Sequence, residues 1–104
     1  MKYFLIKYRF EHGSQAEWHQ EMARFIAALE NDPELRGKIS YRCMKAQDGA
    51  DYYHIASAAD DQAPKTLGSR DFFTHYTERC EAAAAGGNVE VLPLEIVAET
   101  NYKA

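Results

Sequence analysis

The sequence predicts an α+β domain of the ferredoxin-like class, a β-α-β-β-α-β arrangement. Three observations lead there. Three stretches alternate apolar and polar residues with the period of a half-buried strand. Two stretches between them carry apolar residues at helical spacing. Their order along 104 residues, one domain's length, is that of the split β-α-β motif.

The elements follow in turn. Residues 3–10 place Phe4, Ile6, Tyr8 and Phe10 on one face and Tyr3, Leu5, Lys7 and Arg9 on the other. His12-Gly13 ends this strand in a turn. Ser14-Gln15-Ala16-Glu17 has the form of a capping box, the serine accepting from an amide of the first turn while the glutamate reaches back. Trp18, Met22, Phe25, Ile26 and Leu29 then make an apolar stripe, and Asn31-Asp32-Pro33 stops the helix, predicted over 15–31. Residues 38–45 alternate again, with Ile39, Tyr41 and Cys43 sharing a face. Asp48-Gly49 supplies a hairpin turn, and residues 52–58 return as the third strand. A short helical turn is expected around Pro64, broken by Gly68. Ser69 is placed as the cap of the second long helix, whose stripe is Phe72, Phe73, Tyr76 and Cys80 and which runs through Ala82–Ala85 to Gly86-Gly87. The last strand is predicted long, over 89–100, with Pro93 marking a bulge or a sheet edge.

Composition limits what such a domain can do. Val, Ile and Leu number 14, whereas aromatic residues number 13, so the core leans on rings. A net charge of −4 with scattered Lys and Arg speaks against nucleic acid. The N-terminus is too charged for a signal peptide, no apolar run approaches bilayer length, and the expected setting is the cytoplasm. Cys43 and Cys80, read for that compartment, are expected as free thiols. No pair of histidines or cysteines has ligand spacing, so neither a metal nor a cofactor is expected.

Two helices cover only one face of a four-stranded sheet. The other face is expected to carry Tyr3, Leu5, Met44 and Tyr52, apolar enough to be an interface. A homodimer joined through its sheet faces is the simplest solution. Lys7, Arg9 and Arg42 would then face Glu95 or Glu99 of the partner strand, or a substrate carboxylate.

The element order, the Gly13 turn before a capped helix, the Asp48-Gly49 hairpin and the Ser69-x-x-Phe72 helix opening resemble the antibiotic biosynthesis monooxygenase superfamily of dimeric α/β barrels. The resemblance spans nearly the whole chain. It implies a dimer whose two sheets form a barrel, and a pocket in each subunit between sheet and helices. It implies activities such as cofactor-independent oxygenation of aromatic molecules, haem degradation or isomerisation. The chain departs from the family's active members in strand three, where Ala56 and Ala58 stand in place of a glutamate and an aromatic. Lys65-Thr66-Leu67-Gly68 lacks the histidine that often precedes the second long helix, and the haem-degrading set of Asn, Trp and His is missing.

Candidate site residues are few. His75, beside the stripe of the second long helix, is either a general base near a pocket or a half-exposed helix histidine. His54 either serves a phenolic substrate or lines the dimer barrel, according to its face. His19 and His12 are expected in solvent. Tyr8, Tyr41 and Tyr53 are placed together on the helix-facing side, with Tyr76 opposite, as a wall for a planar aromatic ligand or as plain core. The expected function is cofactor-independent monooxygenation of a small aromatic or quinol-like substrate, or its binding without turnover.

Overall fold

The computed structural model describes residues 1–101. Its strands are β1 (Lys2–Arg9), β2 (Ile39–Lys45), β3 (Asp51–Ala58) and β4 (Glu90–Leu94); its helices are α1 (Gln15–Asn31), α2 (Gln62–Gly68) and α3 (Asp71–Ala83). The strands form one antiparallel sheet in the order β2-β3-β1-β4. The helices lie against one face, giving the ferredoxin-like α+β fold. No helix among the described residues is long and apolar enough to cross a membrane.

Helix α1 forms where its signals place it. The Glu17 amide donates to the Ser14 hydroxyl at 3.3 Å, and Trp18, Met22, Phe25 and Leu29 are its buried residues. The Asp32 amide closes the other end on the Leu29 carbonyl. Leu35, in the following turn, is fully buried and plugs the space beneath the helices.

Four expectations change. Ser69 does not cap α3: it has helical backbone at the end of α2, and its hydroxyl donates back to the Thr66 carbonyl at 2.6 Å. The cap position belongs to Arg70, whose guanidinium reaches instead to Asp32 at 2.7 Å and Glu34 at 2.9 Å, tying the start of α3 to the end of α1. Helix α3 ends at Ala83; Ala84 turns extended to pair with Phe10, and Gly86 and Gly87 adopt positive φ beyond it. Strand β4 stops at Leu94 rather than running to residue 100, because its partner is exhausted. Leu94 pairs with Tyr3, next to the first residue of β1, so residues 95–100 have no strand to meet. Pro93 fits because β4 is an edge.

The fourth change concerns the two central tyrosines. Tyr52 pairs with Tyr8 and is buried, whereas Tyr53 pairs with Lys7 on the open face, 40% exposed. The sequence reading has them the other way round. The hairpin settles the matter: Ala46 and Asp51 close it, and the register then sets Cys43 beside His54 and Lys45 beside Tyr52. The helix-facing layer is therefore Tyr8, Tyr52, His54 and Tyr41.

Candidate functional site

A cavity of about 310 Å³ opens between this face of the sheet and helices α2 and α3. Phe4, Ile6 and Ile39 form its floor, Leu67 and Cys80 its roof, and Val91 of the edge strand one side. Tyr41 and Tyr76 belong to this mostly apolar lining, as does Glu81, exposed on α3. The volume is at the small end of the roughly 300–1,000 Å³ usual for ligand pockets.

Behind the two tyrosines lies His54, with no exposed surface. Its Nδ1 is 2.7 Å from the Tyr41 hydroxyl and 3.3 Å from that of Tyr76; its Nε2 is 3.0 Å from the Tyr8 hydroxyl. The indole N–H of Trp18 donates to Tyr8 at 2.7 Å. Rings hold the hydroxyls in place. Tyr8 stacks on Tyr52 at 5.3 Å, Trp18 on Tyr76 at 5.3 Å, and Phe25 on the other ring contact of Tyr76 at 4.0 Å. Every buried side-chain nitrogen and oxygen among the described residues has a partner.

Burial governs the protonation of this cluster. It lowers His54 from 6.5 to about 4, because the imidazolium would lose its water. The same desolvation raises the phenols of Tyr8, Tyr41 and Tyr76 well above their ordinary value and pushes the Cys80 thiol to about 12. At neutral pH the cluster is a set of neutral donors and acceptors.

The sequence-predicted candidates divide. Tyr8, Tyr41, Tyr76 and His54 meet in one cluster, and two of them line the cavity. Tyr53 does not join them, since it stands on the open face. His75 is also elsewhere: it is mostly exposed, and its Nε2 meets the Glu21 carboxylate at 3.2 Å across the outer surface of α1 and α3. His19 is exposed, as expected, and its Nε2 also lies 2.8 Å from the Tyr52 hydroxyl. Lys7 and Arg9 find partners within the subunit, Glu90 at 3.8 Å and Asp51 at 3.6 Å. Cys43 and Cys80 are free thiols, and Cys43 Sγ lies 3.8 Å from the Tyr76 hydroxyl. Among the described residues no three His, Cys, Asp or Glu side chains are grouped to hold a metal ion. Sequence reasoning placed Trp18 as packing alone and missed Tyr52; helical periodicity marks a buried indole but not the partner of its N–H.

No protein-family model matches the sequence, and no curated protein does. Solved structures do match in shape. One is SnoaB, a cofactor-independent oxygenase from Streptomyces nogalater, at 19% identity over 97% of each chain with a TM-score of 0.76. A second is described as an antibiotic biosynthesis monooxygenase, at 12% identity over 94% of this chain and all of that one, TM-score 0.76. A third is a dimeric ferredoxin-like protein of unknown function from Jannaschia, at 18% identity over 92% of this chain and all of that one, TM-score 0.69. This chain has their fold. At such identities the likeness extends to backbone architecture, and the chemistry of the cavity must be argued from its own side chains.

Proposed function

We propose that the cavity between sheet and helices binds a small, planar hydroxyaromatic or quinol-like molecule and that the protein is a cofactor-independent monooxygenase acting on it. The observation that carries this reading is an apolar cavity lined by two tyrosines whose hydroxyls are held by a buried histidine behind them. The apolar walls suit an aromatic ring, and the hydroxyls fix its oxygen. In the reaction the electron-rich anion of the substrate supplies the electrons. With O₂ a phenol gives a quinone and H₂O: one oxygen atom forms the new carbonyl, and the other leaves as water with the displaced ring hydrogen and the phenolic hydrogen. The protein's part is to exclude water and to stabilise the anion by hydrogen bonds from neutral donors. SnoaB, of the same fold, is a cofactor-independent oxygenase.

A second reading is favoured by one observation. His54 lies outside the cavity lining, has both ring nitrogens engaged and is a weak base at about 4. A site without an available base binds its ligand and leaves it unchanged. Calorimetric titration with naphthols and dihydroxynaphthalenes, followed by oxygen uptake with each binder, separates the two. Binding with oxygen uptake that falls in Tyr41→Phe supports the oxygenase. Binding without uptake leaves a carrier or sensor, and no binding overturns both. Loss of the Tyr41 hydroxyl is expected to weaken binding about five- to tenfold, the worth of one hydrogen bond of ~1 kcal/mol.

We also propose a homodimer joined through the open sheet face. Met44, Tyr53, Leu92 and Leu94 are all at least 40% exposed there, an apolar patch too continuous for a solvated surface. The Jannaschia protein of the same fold is dimeric.

A further inference from the structure

The hydrogen bonds around His54 have a direction. An indole N–H can only donate, so Tyr8 accepts from Trp18 at 2.7 Å. The other hydrogen-bond partner of the Tyr8 hydroxyl is His54 Nε2 at 3.0 Å, so its proton goes to Nε2. A neutral imidazole that accepts at Nε2 carries its hydrogen on Nδ1. Nδ1–H therefore donates to Tyr41 at 2.7 Å, with Tyr76 more distant at 3.3 Å. The Tyr76 hydroxyl also lies 3.8 Å from Cys43 Sγ, which can take its proton. Tyr41, accepting from His54, has no second hydrogen-bond partner among the described residues and keeps its own O–H to give away.

We propose that Trp18, Tyr8 and His54 form a one-way hydrogen-bond relay that holds His54 as the Nδ1–H tautomer and leaves the Tyr41 hydroxyl as a donor for the cavity's ligand, so that the site selects ligands presenting an oxygen acceptor: a phenolate, an enolate or a quinone carbonyl. This rests on the reading of the cavity as a hydroxyaromatic site. Each bond of such a chain polarises the next, which strengthens the terminal donor. The donor matters because no cationic side chain lines the cavity, while the Glu81 carboxylate opposes an anion there. Trp18 and Tyr8 are positioning residues, remote from the ligand and acting through His54.

Two measurements on the intact protein test the relay. Nitrogen-15 NMR of the imidazole reads the tautomer directly, and Nδ1–H is expected. The pKa of bound 4-nitrophenol, whose absorbance reports its ionisation, is raised in every arm by the apolar walls and Glu81, and is expected to lie roughly one unit lower in the wild type than in Tyr8→Phe. Tyr8→Phe keeps the ring stacked on Tyr52 but cuts the relay. It is expected to mix the two tautomers and raise the bound probe's pKa relative to the wild type, and Trp18→Phe to act in the same direction. Glu81 is unchanged in every arm. An Nε2–H tautomer in the wild type overturns the proposal, as does a bound probe whose ionisation ignores Tyr8→Phe. If nitrophenol fails to bind the wild type, the ligand reading fails, while the tautomer measurement still decides the relay.

Discussion

His54 shows how much one side chain can set. The unfolded chain takes up a proton on this residue near pH 6.5, whereas the folded chain resists until about pH 4. Between those values the unfolded state binds more protons, so stability falls as pH falls and levels off below about 4. The whole difference is worth about 3 kcal/mol at most. Urea unfolding midpoints measured between pH 7 and pH 4 should fall accordingly, and the dependence should flatten in His54→Gln. An unchanged slope in that variant would place the acid sensitivity elsewhere. Much of this was beyond the sequence. Alternation in 52–58 shows that Tyr52 and Tyr53 occupy opposite faces. Which face meets the helices follows from pairing Tyr52 with Tyr8, 44 positions away, and no local pattern carries that register.

Local chemistry was legible wherever an element's end is set within a few residues. Ser14, Glu17 and Pro33 bracket α1, and the helix occupies 15–31 as their spacing requires. Ser14→Ala should cost about 1 kcal/mol, the usual worth of an N-cap. Ser69→Ala should cost less, because its hydroxyl only adds a second bond at a helix end already closed by backbone amides. Thermal melts of the two variants check the order, and a larger loss for Ser69→Ala would contradict this assignment of caps. The start of α3 was misread because it depends on a distant contact: Arg70 is held by Asp32 and Glu34, not by a capping side chain. Strand β4 was misread for a related reason. Its sequence suits a strand to residue 100, but its length is limited by the end of β1.

At the scale of the molecule, the sheet has two faces with two uses. The scarcity of aliphatic residues is met by rings, which pack the helix-facing layer and surround the cavity, while the open face retains exposed Tyr53, Leu92 and Leu94. Sedimentation velocity at micromolar concentration should show a dimer, and Leu92→Glu combined with Tyr53→Glu should shift it to a monomer that still binds ligand in its cavity. A wild-type monomer would remove the sheet-face interface. The central claim is that the cavity side, with its Tyr41 and Tyr76 hydroxyls, is the ligand site. Backbone amide NMR during titration with 2-naphthol tests it most directly. Shifts concentrated at Ile39, Tyr41, Tyr76 and Cys80, and weakened in Tyr41→Phe, are the expected result; shifts at Leu5, Tyr53 and Leu92 on the open face, or none at all, would contradict it.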